Sequence, residues 1–442
     1  MSNNDNKIAI VVPVYNVEKY IRTFVDSLKS QTNQRFNVYF VDDCSSDGSY
    51  EYIKNNLSEN WILIQNENRM GAAFSRNRAI ETSTEEYVHC LDADDYIENT
   101  LIEELYLCID KSTPDIIMIE RDYFNDGEEI IRYYSFRKMY PDNWYNSHTI
   151  DYCLPARAKI GTTDICISRT LLDRFNIRFQ NLSSSNDVFY ILFSILMADS
   201  IVHVPTYNSL YHTRNHSSIH RISNHRDPMN AYLALKKVKE ELLKYNKLEE
   251  VGVWFWEYCL MSLQDQLNKC NDDKRKREVY RYLIDCGLRE LGVGSLLFEE
   301  KMPVAFKNQY NKFIEMDITD IDCSYSLFME GLCIHNEKKI IEYVNRIKGE
   351  NKILGFWGLG GFSKGFIETV NKHGLHIDYF FDSNIDSGKK YNIEVSEFTL
   401  HSENVDVIIV SSTRFFSQIA DKILMHHPKT EVVCMEDILY AG

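Results

Sequence analysis

Three carboxylates follow a short apolar run, Tyr87-Val-His-Cys-Leu91, at Asp92, Asp94 and Asp95. If the run is a strand, its alternation points Asp92 and Asp94 to the same side, just beyond the strand end. Two carboxylates that close repel each other unless a cation lies between them. A hard divalent ion that also holds a phosphate-bearing ligand would meet that need. The same spacing recurs at Asp320-Ile-Asp322, so spacing alone also allows an ordinary strand-to-loop junction.

The residues before this motif alternate between strand and helix patterns. Short apolar runs predict parallel strands buried on both faces, at residues 7–13, 36–41, 61–65 and 87–91. Apolar side chains at helical spacing predict helices that pack on the sheet, at residues 17–31 and 71–82. The fold class is therefore α/β, with a doubly wound and mostly parallel sheet.

Polar residues follow three of these predicted strands. Ligands of such sheets bind outside the carboxyl ends of the strands. Tyr15-Asn16, Asp42-Asp43 and residues 92–95 all fall at those ends, so we expect one cleft to collect them.

Composition limits the classes of partner. The 442 residues and 51.9 kDa allow two or three domains with full cores. A net charge of -16 argues against a nucleic-acid partner, which would require a basic face. An acidic protein that binds a diphosphate would also benefit from a metal ion that offsets the repulsion.

Several patterns bear on location. The first seven residues lack the apolar core of a signal peptide, and the apolar run 251–261 is too short to cross a bilayer. That run indicates a buried helix or a subunit contact, which leaves a homo-oligomer open. Eleven dispersed cysteines predict reduced thiols and a cytoplasmic protein. The histidines between residues 203 and 225 share no ligand spacing that would predict zinc.

The amino-terminal half resembles a known family. The motifs are Val11-Val-Pro-Val-Tyr-Asn16, Val41-Asp-Asp-Cys-Ser-Ser-Asp-Gly48, Asn68-Arg-Met-Gly71 with Ser75-Arg-Asn77, and Leu91-Asp-Ala-Asp-Asp95. In this order and spacing they look like the successive motifs of family 2 glycosyltransferases with the GT-A fold. The resemblance covers roughly residues 7–220.

The resemblance implies a set of donor-binding residues. Asp43 would hydrogen-bond the uracil imide of a UDP-sugar, and Pro13 and Tyr15 would flank the base. A carboxylate only accepts hydrogen bonds, which matches an imide N–H. Arg76 would face the nucleotide or the Asp-x-Asp carboxylates, and Asp92 would contact the ribose and Arg76. For Asp42 a loop or helix-cap role stays open, and Asp47 is interpreted as structural.

The resemblance also implies a metal ion, Mn or Mg, on Asp94. The ion would bridge the diphosphate and stabilise charge on the departing UDP as a Lewis acid. Tyr211-His-Thr-Arg214 resembles the segment that closes the family's catalytic domain over the diphosphate. His212 could complete the metal shell and Arg214 could hold phosphate, with a structural role open for each. Asp95 has no assigned role.

Transfer needs a base for the acceptor hydroxyl. The family supplies an Asp that usually follows a Glu and starts a helix, and Asp187 occupies this place. Asn186 stands where Glu is common, after a serine-rich approach. A helix-start carboxylate without a catalytic role is the other interpretation of Asp187, and Asp164 is the second candidate for the base.

The pattern changes after residue 225. Residues 1–225 would form the GT-A domain, and helical spacing predicts a helical region over 226–345. Its basic cluster, Lys274-Arg-Lys-Arg277, indicates a solvated helix face or a contact with anionic lipid headgroups.

Residues 346–442 predict a small Rossmann-like domain. A glycine loop at 358–364 follows a predicted strand, and Asp382 lies where a ribose-binding carboxylate would be. Ser363 replaces the last glycine of Gly-x-Gly-x-x-Gly. The domain therefore either binds a nucleotide or is a degenerate module that docks partners or subunits.

Together these observations predict a metal-dependent, inverting glycosyltransferase of bacterial surface-glycan assembly. Its partners would be a UDP-sugar and a saccharide or lipid-linked acceptor, at the inner face of the membrane. Two alternatives stay open: a non-catalytic nucleotide-sugar-binding or scaffold protein with a decayed base site, and a bifunctional enzyme whose tail has a second nucleotide-dependent activity.

Overall fold

A computed structural model of the chain describes residues 6–125, 130–132, 144–146, 160–213, 227–302, 304–315, 333, 336–359, 363–382, 388–390, 393–396, 405–411, 416–435 and 438. The chain divides into two compact units, residues 1–130 with 140–259 and residues 131–139 with 260–442. The predicted three-domain division, with boundaries near residues 225 and 345, stays a prediction. Across the described ranges, no helix is both long and apolar enough to cross a membrane.

The first unit contains the predicted α/β domain. Its strands are β1 (Ile8–Val14), β2 (Phe36–Asp42), β3 (Trp61–Gln65), β4 (Tyr87–Cys90), β5 (Tyr96–Ile97), β6 (Ile116–Asn125), β7 (Ile130–Arg132, of which only Ile130 belongs to this unit), β8 (Trp144–Asn146), β9 (Ile165–Ser168) and β10 (Ser200–Thr213). Its helices are α1 (Glu18–Lys29), α2 (Ser49–Asn55), α3 (Ala72–Thr82), α4 (Leu101–Ser112), α5 (Arg169–Arg174), a π-helical turn (Phe189–Phe193), α6 (Ser194–Met197) and α7 (Pro228–Lys244). Helix α8 (Leu248–Lys269) follows and continues into the second unit.

The sheet order is β3-β2-β1-β4-β9-β6-β10-β5, with β7 beside β6 and β8 beside β10. The pairs β1–β2, β1–β4, β2–β3 and β6–β10 are parallel, which confirms the prediction of a mostly parallel sheet. Strand β9 runs antiparallel between β4 and β6. The carboxyl ends of β1, β2 and β4 therefore lie side by side.

The core under this edge follows from the amphipathic pattern of α1. The helix buries Ile21, Phe24, Val25 and Leu28. The Phe24 ring meets the Phe40 ring of β2 edge-on, with the ring centroids 6.3 Å apart. Helix α1 begins where the Asp47 carboxylate accepts the Glu18 N–H at 3.0 Å, so a loop after β2 fixes the start of the helix. The packing of α1 on β2 and the hydrogen bond from Glu18 to Asp47 together hold the carboxyl end of β1 in place.

The second unit contains helices and a small sheet. Its helices are α9 (Asp273–Tyr282), a π-helical turn (Leu283–Gly287), α10 (Leu288–Glu290), α11 (Leu296–Lys301), α12 (Val304–Glu315), α13 (Glu337–Gly349), α14 (Ser363–Lys372) and α15 (Phe416–His426). Its strands are β11 (Leu354–Trp357), β12 (Tyr379–Phe381), β13 (Gly388–Lys390), β14 (Ile393–Val395), β15 (Val407–Val410) and β16 (Glu431–Cys434). The order β12-β11-β15-β16 is all parallel, and β13 pairs antiparallel with β14. This matches the predicted α/β tail.

The basic cluster lies at the start of α9. Asp272 caps this helix by accepting the N–H groups of Lys274 and Arg275, each at 3.0 Å. Lys274 and Arg277 are exposed, and Arg275 pairs with Glu278 at 3.4 Å. The contact with lipid headgroups stays a prediction.

We expect Gly355→Ala to destabilise the tail sheet. A Cβ at Gly355, in the central strand β11, would lie 3.0 Å from atoms of Phe381 and Val405 and 3.1 Å from Ile408. Overpacking of this kind typically costs about 1–3 kcal/mol. Thermal unfolding of the full chain measures the effect, and Gly349→Ala is the control because a Cβ there meets nothing within 4 Å. Equal unfolding midpoints for the two variants would contradict the packing described here.

Candidate active site

The register of the sheet brings the predicted polar residues to one edge. Val14 of β1 pairs with Asp42 of β2, and Val11 pairs with Cys90 of β4. The ladder extends one step further, because the Asp43 N–H donates to the Val14 carbonyl at 2.8 Å. On the other side the Leu91 N–H donates to the Val11 carbonyl at 2.9 Å. Asp43 thus follows the carboxyl end of β2, and the segment from Asp92 to Asp95 follows the carboxyl end of β4. These two strands lie on either side of β1.

Asp43 holds the loop that precedes α3. Its Oδ1 accepts the Met70 N–H at 2.7 Å and the Asn66 carboxamide at 2.8 Å, and its Oδ2 accepts the Gly71 N–H at 2.7 Å. The residue is 3% exposed. Gly71 has a φ of 89°, a conformation that favours glycine, so the chain can turn here and present its N–H. The carboxylate therefore orders this loop while one acceptor position of Oδ2 remains.

Tyr15 and Pro13 lie at the neighbouring strand end, both half-buried. The guanidinium of Arg69, from the loop that Asp43 holds, lies 4.1 Å from the centroid of the Tyr15 ring. Such a cation–π contact contributes about 0.5–1 kcal/mol at an exposed site. The Tyr15 ring, which we predict to flank the uracil ring of the donor, is thus covered by the exposed side chain of Arg69.

Arg76 of α3 pairs with the first carboxylate of the acidic motif. Its Nη2 lies 2.6 Å from Asp92 Oδ1, and the residue is only 8% exposed. Burial would lower the pKa of the Arg76 guanidinium, but the charges of Asp92 and Asp187 raise that pKa above its ordinary value. The Nε of Arg76 is buried without a hydrogen-bond partner. A guanidinium that is always charged therefore pairs with Asp92 and also attracts the Asp187 carboxylate.

Asp187 begins a helical turn close to this arginine. Its carbonyl accepts the Ile191 N–H at 2.9 Å, and its side chain is partly exposed. Ser185, two residues earlier, has a φ of 55°, which a non-glycine residue adopts at a cost. The serine-rich approach is held from α7, because the Asn230 carboxamide contacts the hydroxyls of Ser183 at 2.9 Å and Ser184 at 3.1 Å. The fold thus fixes the backbone that presents Asp187.

The remaining carboxylates of the motif lie in a tight turn. The Asp95 N–H donates to the Asp92 carbonyl at 3.1 Å, Asp94 is partly exposed and Asp95 is buried. Among the residues that the structure describes, no three His, Cys, Asp or Glu side chains are grouped to hold a metal ion. His212 lies near the end of β10, and Arg214 lies outside the described residues.

Asp164, the second candidate for the base, has a different setting. It is 6% exposed, and its Oδ2 accepts the Gly161 N–H at 2.5 Å. Burial lowers the pKa of His89 to about 4, so its ring is neutral and Nε2 donates to the Thr163 carbonyl at 2.9 Å. Asp164 therefore lies in a buried turn fixed to β4, whereas Asp187 reaches solvent.

The described residues of the glycine loop, Gly358 and Leu359, form hydrogen bonds with neighbouring segments of the tail. The Gly358 N–H donates to the Phe381 carbonyl at 2.8 Å, and the Leu359 N–H donates to Asp382 Oδ2 at 2.8 Å. The Ser411 hydroxyl donates to the Gly358 carbonyl at 2.7 Å. The N–H groups of Gly358 and Leu359 thus already donate hydrogen bonds within the protein. The Asp382 carboxylate lies against the loop, where a bound phosphate would need hydrogen-bond donors.

The amino-terminal part of the chain is similar to known proteins. Residues 9–174 match the profile described as "Glycosyl transferase family 2". The chain is 32% identical over 148 residues to Glycosyltransferase GlyA of Streptococcus pneumoniae, which covers 33% of this chain and 21% of GlyA. It is 28% identical over 250 residues to Poly(ribitol-phosphate) beta-N-acetylglucosaminyltransferase TarS of Staphylococcus aureus, which covers 55% of this chain and 42% of TarS.

The fold has a counterpart among solved structures. The crystal structure of residues 1–349 of S. aureus TarS has a TM-score of 0.55 at 18% identity, and the match covers 73% of this chain and 90% of that one. At this identity the likeness concerns the fold alone. The matched region is less than half the length of GlyA or TarS. From the profile match, the strand-end motifs and the sheet order, the chain carries a glycosyl transferase family 2 domain with the GT-A fold.

Proposed function

We propose that the chain is a glycosyltransferase that moves a sugar from a UDP-sugar to an acceptor hydroxyl in cell-surface glycan synthesis. One observation carries the proposal. Within a family 2 domain, buried Arg76 pairs with Asp92 at 2.6 Å and interacts electrostatically with Asp187. A donor-side carboxylate is thus paired with a permanent positive charge, and that charge also attracts the candidate base.

The described residues suit a divalent metal ion of the Mn or Mg type. Asp92 and Asp94 offer hard oxygen ligands at the end of β4, and both are accessible. Mg²⁺ commonly takes only one or two carboxylates, with substrate phosphates and waters as its other ligands, so a site without three grouped protein ligands is compatible. Asp94 would hold the ion, with His212 as a further ligand, and Asp92 stays bound to Arg76. When bound, the ion supplies Lewis-acid stabilisation of the departing diphosphate.

The donor site would use the edge formed by β1 and β2. Asp43 would accept the imide N–H of uracil through its remaining acceptor position, with Pro13 and Tyr15 beside the base and Arg214 on the phosphates. The exposed Arg69 guanidinium lies 4.1 Å from the centroid of the Tyr15 ring, so a base stacked on that ring would displace or contact this side chain. The TarS relative is named as an N-acetylglucosaminyltransferase, so UDP-N-acetylglucosamine is the first donor to test.

The acceptor hydroxyl would lose its proton to Asp187 as it attacks C1 of the sugar. One carboxylate acting as base accounts for a single displacement, which inverts the configuration at C1. A positioned base of this kind typically contributes about 100- to 10,000-fold to the rate. The acceptor would be a saccharide or a lipid-linked glycan, and the dispersed cysteines agree with a reaction on the cytoplasmic side of the membrane.

A transfer assay tests the proposal. The full chain is incubated with Mn²⁺, a panel of UDP- and GDP-sugars and a panel of polyol-phosphate and oligosaccharide acceptors. We expect mass spectrometry to show acceptor glycosylated from a UDP-sugar, and EDTA to stop the reaction. A correctly folded chain that binds UDP yet glycosylates nothing across the panels would support a binding protein instead.

We expect Asp43→Asn to weaken donor binding. An amide has one acceptor oxygen, so its NH2 group would face either the Met70 or the Gly71 N–H, each now 2.7 Å from a different oxygen of the carboxylate. Hydrogen bonds to charged groups contribute about 1.5–3 kcal/mol, so a loss of at least about tenfold in UDP affinity is expected. Calorimetric titration with UDP and Mn²⁺ measures it. The control is Asp47→Asn, in the same loop, which should alter helix capping without changing UDP affinity.

A further inference from the structure

Phe179 connects the donor side of the cleft to the segment that carries Asp187. Its main chain forms two hydrogen bonds with the carboxamide of Asn77 on α3, a residue 102 positions earlier. Asn77 Nδ2 donates to the Phe179 carbonyl at 2.8 Å, and Oδ1 accepts the Phe179 N–H at 2.8 Å. One side chain thus satisfies both main-chain groups as a neighbouring strand would.

The Phe179 ring contacts two side chains. The Arg76 guanidinium lies 5.2 Å from its centroid. The Tyr190 ring stacks on it with a centroid distance of 4.0 Å and an interplanar angle of 14°. Phe179 is 4% exposed and Tyr190 1% exposed, so neither ring can move without opening the core.

Tyr190 links this stack to the start of the Asp187 helix and to β4. It lies one turn after Asp187, and its hydroxyl interacts with the Cys90 thiol, which follows from the effect of each group on the pKa of the other. The segment that returns from Phe179 to Asp187 is closed by a bond from the Gln180 N–H to the Asn186 carbonyl at 3.1 Å. A continuous set of contacts therefore runs from α3 to the candidate base.

From these contacts we infer that Asn77 and Phe179 are positioning residues that set the placement of Asp187 relative to Arg76 and Asp92. They would not touch donor or acceptor; they fix the distance between the departing diphosphate and the base. The inference rests on the proposed function, because it requires Asp187 to act as the base. A misplacement of about 1 Å at a reacting centre can lower a rate about 100-fold.

A double-mutant cycle tests this. Asn77→Ala, Asp187→Asn and the double variant are compared in the full chain, with kcat for transfer and the Kd for UDP with Mn²⁺ as readouts. We expect Asn77→Ala to lower kcat about 10- to 100-fold, to leave the Kd within about twofold, and to cause no further loss when Asp187 is already Asn. Glu81→Ala, exposed on the same helix, is the control and should behave as wild type.

The outcomes separate the two claims. If Asp187→Asn turns over as wild type does, the base assignment and this inference both fail. If Asp187→Asn lowers kcat but Asn77→Ala does not, only the positioning role fails. The same holds if Asn77→Ala lowers kcat by the same factor in the wild type and in the Asp187→Asn variant. Should Asn77→Ala unfold, Phe179→Leu decides, since it keeps both main-chain bonds and removes the ring. A wild-type kcat for a folded Phe179→Leu would then overturn the inference.

Discussion

Replacing Asp187 by Asn is expected to lower kcat for transfer by about 100- to 10,000-fold, the usual contribution of a positioned general base. Asn keeps the size of the side chain and its place at the start of the helical turn, where the carbonyl of residue 187 accepts the Ile191 N–H at 2.9 Å. It removes the charge that interacts with Arg76 and the group that would take the proton. Steady-state kinetics with saturating donor and acceptor measure the effect.

Two comparisons make that result specific. UDP affinity with Mn²⁺ should change little, because Asp187 is assigned to the acceptor side. Asp199→Asn removes a carboxylate that is 74% exposed and pairs with Arg174 at 3.6 Å, and it should leave kcat unchanged. If Asp187→Asn lost less than about tenfold while remaining folded, Asp164 would become the base to test, despite its burial.

Replacing Asp94 by Ala is expected to lower turnover by at least about 100-fold, because Lewis-acid stabilisation of a leaving diphosphate contributes several kcal/mol. Asp94 is partly exposed just after β4, whereas Asp92 pairs with Arg76 at 2.6 Å. The measurement is UDP release as a function of Mn²⁺ concentration.

The control for that variant is Glu98→Ala. Glu98 is exposed just after β5, so it tests whether general loss of negative charge near the motif matters. Glu98→Ala should keep the wild-type response to Mn²⁺. A near-normal rate for Asp94→Ala at ordinary Mn²⁺ concentrations would show that Asp94 is not a metal ligand.

Much of the first unit follows from local pattern. The apolar runs that precede Asp43 and Asp92 form β2 and β4, and α1 and α3 lie where helical spacing predicts them, with boundaries shifted by at most two residues. This agreement has a physical cause. Strands buried on both faces require continuous apolar runs, and helices packed on a sheet require an apolar stripe, so both signals are contained in consecutive residues.

The contacts that organise the cleft could not be predicted in this way. Asn77 bonds to Phe179, and Asn66 uses its carboxamide to hold Asp43, yet neither pairing leaves a local signal. A polar side chain finds its partner through the fold, here across 102 residues in one case. Nor does the sequence predict the antiparallel strand β9 between β4 and β6, because its four residues resemble any short apolar run.

The anomeric configuration of the product tests the central claim, a single displacement with Asp187 as the base, most directly. The full chain is supplied with Mn²⁺, a UDP-α-sugar and an acceptor that it glycosylates, and the anomeric configuration of the new linkage is assigned by proton NMR. One base and one displacement predict a β-linked product. An α-linked product would mean two displacements or a different arrangement of the site, and it would contradict the mechanism derived from Arg76, Asp92 and Asp187.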